Sequence, residues 1–163
     1  MKKWLLLSAT LFLVGCAEDK KELPKDAEVE TTISLKPVID VSINNFGAWA
    51  YYDKYCWEDA EKQCALKPTL PSEFLEREHV NHVEPGETIS FRFSIPLDDW
   101  DFPQPDSFIA YIQDGEEMKP IEVNEKTVQA PETPGKHYMS VKAIWDGEVK
   151  GEAIYAFSLY IKE

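Results

Sequence analysis

The sequence predicts an all-β chain, an antiparallel two-sheet sandwich with a small closed barrel as the alternative, and three observations carry that expectation. Short runs alternate apolar and polar residues with period two, Pro and Gly turns punctuate them, and only 72–78 reads as helix. Eight or nine strands of this kind with almost no helix leave two packed sheets or a closed one as the ways to bury their apolar faces. The chain has 163 residues, 44% hydrophobic and 12% aromatic, which is enough to fill one core.

Taken in order, Val29, Thr31, Ile33 and Leu35 alternate with polar residues, and after Pro37 the period returns in Ile39, Val41 and Ile43. Asn44-Asn45-Phe46-Gly47 supplies turn residues, and the aromatic-rich run Ala48 to Trp57 follows. Beyond Pro68 and Pro71, Ser72 to Glu78 forms at most one short helix, with Ser72 expected as its N-cap. Pro85-Gly86 turns the chain into a strand in which Ile89, Phe91, Phe93 and Ile95 alternate with Ser90, Arg92 and Ser94, as a half-buried strand requires. Phe108 to Ile112 ends at Asp114-Gly115, and Met118 to Val123 and Thr127 to Ala130 are further short strands. Pro134-Gly135 opens a longer one with Met139, Val141, Ala143 and Trp145 on one face, which Asp146-Gly147 turns back. The last strand sets Ala153, Tyr155, Phe157, Leu159 and Ile161 on one face, and Ile154, Ser158 and Tyr160 on the other.

The N-terminus reads as an address. Lys2 and Lys3 precede an apolar run, Trp4 to Val14, too short to span a bilayer. Its end, Leu13-Val14-Gly15-Cys16, resembles a bacterial lipobox. That resemblance implies cleavage of residues 1–15 and diacylglycerol on Cys16, which would hold the protein to the extracytoplasmic face of the cell membrane. Two acyl chains, at about 0.8 kcal/mol per buried methylene, make such an anchor stable. Residues 16–30 then read as the lipidated cysteine and a charged tether with a reach of roughly 20 Å. Residues 31–163 are the folded domain.

Cys56 and Cys64 remain, an even pair in a compartment that permits disulfides. They are expected to bond and to stabilise by about 2–3 kcal/mol in the chain-entropy model. A redox pair or half of a metal site are the functional alternatives. The C-x-x-C spacing of the first and the four tightly spaced ligands of the second are both missing.

Tyr55-Cys56-Trp57 followed by Cys64, the Pro85-Gly86-Glu87-Thr88 lead into a strand, and the closing hairpin from Gly135 to Ile161 resemble an immunoglobulin-like domain of Gram-positive lipoproteins and membrane-sensor ectodomains. The resemblance favours the sandwich over the barrel and says little about activity. The chain departs from the antibody pattern in two places. Tyr138 precedes Ser140, not an inward apolar residue, so it is expected to point outward instead of forming a tyrosine corner. The bond between Cys56 and Cys64 would be a local staple, not an inter-sheet bridge.

Charge and motifs narrow the function classes. With 17 Lys plus Arg against 30 Asp plus Glu, a formal charge of -13, the chain is repelled by phosphate backbones, which argues against nucleic acid as a partner. No nucleophile elbow and no phosphate-cradling glycine loop is present, so neither an enzyme nor a cofactor is expected. The flanking Val80, Val83 and Pro85 predict an extended segment for His79 and His82, where positions three apart face opposite ways, so they read as surface histidines and not as metal ligands. Asp98, Asp99, Asp101 and Asp106 crowd around Trp100 and Phe102 and form the candidate contact for a ligand or partner. The expectation is a membrane-anchored, non-catalytic module for a protein or cell-envelope component. Its alternative is a receptor for a small ligand, sugar or calcium through that acidic and aromatic loop.

Overall fold

Apolar residues at every second position need a facing sheet to cover them, and the chain provides two. A computed structural model describes residues 36–94 and 103–162. Along them run β1 (Val38–Ile43), β2 (Phe46–Ala48), β3 (Tyr51–Trp57), α1 (Pro71–Phe74), β4 (Val80–Val83), β5 (Thr88–Ser94), β6 (Ser107–Asp114), β7 (Glu117–Ile121), β8 (Thr127–Gln129), β9 (Gly135–Asp146) and β10 (Lys150–Ile161). One sheet has the order β2-β1-β5-β8 and the other β3-β10-β9-β6-β7. Along one edge of β10, its first half pairs antiparallel with β3 and its second half parallel with β4.

This is a mostly antiparallel two-sheet sandwich of immunoglobulin-like order, with β4 beside β10 as the parallel exception. β5 and β8 share one sheet as strands B and E do, while β6, β9 and β10 share the other as C, F and G do. β1 takes the place of A beside β5, and β7 extends β6 as C′ does in variable-type domains.

The expected inward faces are the observed ones. Ile39, Val41 and Ile43 of β1 and Ile89, Phe91 and Phe93 of β5 meet the odd-numbered residues from Met139 to Trp145 of β9 and from Ala153 to Ile161 of β10 in one core. An aromatic chain ties the sheets together. Phe93 lies edge-on to Trp145 and to Tyr155, each at 5.8 Å, and Trp145 is in turn edge-on to Trp57 at 5.0 Å.

Three details differ from expectation. The turn after β1 is only Asn44-Asn45, both with positive φ as a two-residue hairpin loop prefers, so Phe46 and Gly47 belong to the edge strand β2. The described residues accordingly contain ten strands. Ser72 is not the N-cap of α1. Pro71, whose fixed φ suits the first helical position, starts the helix two residues earlier than that cap would, behind Leu70, and the helix ends at Phe74, short of Glu78. Much of the even-numbered face of β9 and β10 is covered as well: Ser140, Lys142, Ile154, Ala156 and Ser158 are buried, while Lys136 and Tyr160 are exposed.

The cover over that face is the connection 58–79. A β-bulge at Asp53, where the register against β10 shifts, turns its carboxylate to accept the Thr69 amide and hydroxyl, each at 2.8 Å. Farther along, Glu152 accepts the Leu66 amide at 2.6 Å, and the Lys142 ammonium donates to the Leu66 carbonyl at 3.1 Å. Gln113 of β6 accepts the Ser72 amide at 3.0 Å, and Leu75 is fully buried beyond α1. The Cys56–Cys64 disulfide fixes the first end of this strap and is the local staple expected. Tyr138, with the Lys136 ammonium over its ring, lies outside the core.

Tyr155 gives the core a pH dependence. Burial pushes its phenol up to about 12, with a smaller push from the neighbouring Tyr52 phenol. Its hydroxyl donates to the Pro37 carbonyl. An unfolded tyrosine titrates near pH ~10, so the stability this group contributes is intact below that pH and is lost as pH rises through about 12. Thermal melts between pH 8 and 12 are expected to show a steeper alkaline fall for the wild type than for Tyr155→Phe. Equal slopes would contradict the assignment.

A cleft between β2 and β4

Sandwich sheets leave a lateral opening on each side, where their edge strands face one another. On the side of β2 and β4 the opening is a cleft of about 370 Å³, lined by Asn44, Phe46, Trp49, Asn81, His82 and Glu87 among others. Phe46 is 78% exposed and Trp49 57%. Single exposed apolar residues are ordinary, but two large rings on one concave site are not.

The positions of these rings follow from the chain. β2 is a three-residue edge strand set by the Asn44-Asn45 turn, and its first residue is Phe46. Trp49 stands just beyond it, where Asn81 of β4 holds the backbone from both sides. The Asn81 side-chain oxygen accepts the Trp49 amide at 2.8 Å, and its nitrogen donates to the Trp49 carbonyl at 2.9 Å and to the Ser158 carbonyl at 3.2 Å. Asn81 is buried, and these bonds satisfy it as a buried amide must be satisfied. The His79 ring stacks on Trp49 with centroids 4.6 Å apart and planes 24° apart. A ring tied in this way loses little further freedom when a ligand covers it.

The polar side of the cleft is also fixed. Asn44 donates to one oxygen of Glu87, and the other oxygen accepts the Glu84 amide at 2.9 Å, across the turn that carries Pro85 and a positive-φ Gly86. A carboxylate has about four acceptor sites, so Glu87 retains capacity for a further donor. His82 is exposed and meets the Tyr160 ring edge-on at 5.5 Å.

The opposite opening, between β7 and β8, holds a cleft of about 300 Å³ of different character. Ile112, Ile121, Val128, Pro131 and Met139 make it apolar. It opens where, among the described residues, no strand lies beyond β8 in its sheet.

Of the residues singled out in the sequence, Cys16, Asp98, Asp99, Trp100, Asp101 and Phe102 lie outside the described residues. Asp106 is described, and its carboxylate accepts the Asp146 amide at 2.7 Å, bracing the turn between β9 and β10. At the same end of the fold, Trp145 donates to the Pro103 carbonyl at 2.8 Å and Gln104 to the Phe93 carbonyl at 3.0 Å. His79 and His82 take part in ring contacts, and among the described residues no three His, Cys, Asp or Glu side chains are gathered as metal ligands would be. No helix among those residues is long and apolar enough to cross a membrane.

Phe46, Trp49, Asn81 and Glu87 do not stand out in the sequence as site residues. One signal was available: in Val80-Asn81-His82-Val83, Asn81 shares the parity of Val83, and an amide on an inward face needs partners that some other segment must supply.

No protein-family model matches the chain, and no curated protein or solved structure matches it either. The class the chain belongs to is therefore defined by strand order and core alone, as a two-sheet sandwich of immunoglobulin-like connectivity.

Proposed function

We propose that this chain is a lipid-anchored, extracytoplasmic binding module without catalytic activity, and that it engages a cell-envelope component through the cleft between β2 and β4. The observation that carries the binding site is the pair of exposed rings, Phe46 and Trp49, on one cleft, with the Trp49 backbone held on both sides by Asn81. Rigid aromatic anchors of this kind dominate binding surfaces because they bring large contact area at low entropic cost. The anchor rests on the positive n-region, the apolar run and the lipobox-like Leu13-Val14-Gly15-Cys16. An attached domain on a charged tether samples the envelope close to the membrane, and its net negative charge keeps it off anionic headgroups.

Fractionation of cells expressing the full-length protein tests both halves. Wild type is expected in the membrane fraction, bringing envelope material with it after mild detergent extraction, whereas Cys16→Ser leaves the membrane. The double variant Phe46→Ala, Trp49→Ala is expected to stay membrane-bound and folded by near-ultraviolet circular dichroism, and to recover about tenfold less of that material. Undiminished recovery by the folded double variant would contradict the site.

A further inference from the structure

The cleft's chemistry narrows its occupant. A sugar ring has an apolar face of C–H groups and a rim of hydroxyls, so it is bound where a flat aromatic surface and hydrogen-bonding side chains meet in one wet concavity. The cleft between β2 and β4 has both, with Phe46 and Trp49 exposed and Asn44, His82 and Glu87 beside them. Its volume, about 370 Å³, falls within the range of small-molecule sites. An acyl chain or an apolar peptide anchor would be better served by the apolar cleft on the opposite side, lined by Ile112, Ile121, Val128, Pro131 and Met139. Charge decides among the saccharides. Glu87 lies in the cleft and the chain carries a formal charge of -13, whereas the nearby Glu84 carboxylate is paired with Lys162, so Glu87 and the net charge together disfavour uronates and phosphate-bearing polymers.

We propose that this cleft binds a neutral or amino-sugar saccharide chain, with a sugar ring stacked on Trp49 or Phe46 and hydroxyl or amino groups bonded to Glu87, Asn44 and His82. The proposal rests on reading the cleft as the binding site and goes further in naming the ligand class. Glu87 is the residue that separates it from a purely apolar docking patch, because its carboxylate accepts hydrogen bonds and a protein hot spot built on two aromatic rings would not depend on it.

Calorimetric titration of the full-length protein in detergent micelles tests it, using hexamers of a neutral hexose, an N-acetylhexosamine, a free hexosamine and a uronic acid. At least one of the first three is expected to bind, with affinity lowered about tenfold or more by Trp49→Ala and also by the nearly isosteric Glu87→Gln, while the uronate binds at least about tenfold more weakly. Near-ultraviolet circular dichroism confirms that each variant is folded. Absence of binding by all three, binding untouched by Trp49→Ala, or equal binding of the uronate would each overturn the proposal. If no saccharide binds but the Phe46→Ala, Trp49→Ala variant still loses envelope material from membranes, the saccharide assignment falls and the binding cleft stands. If neither effect is seen, both fall.

Discussion

Phe93→Ala is expected to lower the stability of the domain by about 3–5 kcal/mol, because the ring it removes joins the two sheets. Phe93 comes from β5, yet three of its ring neighbours belong to the other sheet: Trp145 of β9, Tyr155 of β10 and Phe108 of β6, with centroids at 5.8, 5.8 and 5.9 Å. It is 1% exposed. Removing the ring loses its transfer free energy and leaves a void between two sheets, each stiffened by its own hydrogen-bond ladder and held at its spacing by the surrounding side chains, so the walls collapse into it only in part. Urea unfolding followed by tryptophan fluorescence reads the effect directly, because Trp145 is one of the exposed walls of the void. Phe93→Leu keeps most of the volume and is expected to lose roughly a third as much. A loss below about 1 kcal/mol for the alanine variant would mean that the sheets do not meet through this ring.

Glu152→Ala is expected to cost about 3 kcal/mol, because it strands a cation under the strap. The Lys142 ammonium lies 3.0 Å from Glu152, and the two side chains are only 10% and 13% exposed. An exposed pair would contribute about 0–1 kcal/mol, whereas removal of one partner from a buried pair costs about 3–5, and this pair is close to the buried case. Without Glu152, Lys142 retains the Leu66 carbonyl as its partner, and the Leu66 amide loses its acceptor. The strap is then held by the disulfide, the bonds of Thr69 to Asp53 and the contacts around α1. Limited proteolysis should accordingly find new cuts within 58–79 before the global transition in urea. Lys142→Met combined with Glu152→Met removes both charges and is expected to lose less than Glu152→Ala alone. If the double variant is the worse of the two, the stranded charge is not the cause.

The core was legible because it obeys the simplest rule a sequence can carry. Ile89, Phe91 and Phe93 alternate strictly with polar residues, Met139 to Trp145 nearly so, and the same period runs through Ala153 to Ile161 on a strand that is apolar on both faces between Ala153 and Phe157, so period two places these residues on one face whatever the rest of the chain does. The outer face of the same strands was not legible. Ser140, Lys142 and Ser158 have the composition of a solvated face, although Ile154 and Ala156 beside them do not, and they are covered by 58–79, a segment irregular apart from the four-residue α1. A cover of that kind is specified by single polar clamps such as Asp53 to Thr69 and Glu152 to Leu66, which pair residues 16 and 86 apart in sequence. The cleft escaped notice for a related reason. Phe46 belongs to a short edge strand that resembled a turn, Trp49 stands just beyond that strand, and the organiser, Asn81, reaches Trp49 from 32 residues away. The acidic and aromatic cluster that did stand out in the sequence, from Asp98 to Phe102, lies outside the described residues.

The most direct measurement of the binding account is photo-cross-linking in cells of the full-length, lipidated protein, with a photoreactive phenylalanine analogue at position 46 and, for comparison, at the exposed position 116 in the turn between β6 and β7. Position 46 should capture one recurrent envelope component, and that capture should disappear when Trp49→Ala is added, while position 116 captures nothing recurrent. Equal capture from the two positions, or capture at position 46 that survives Trp49→Ala, would contradict the cleft between β2 and β4 as the functional surface.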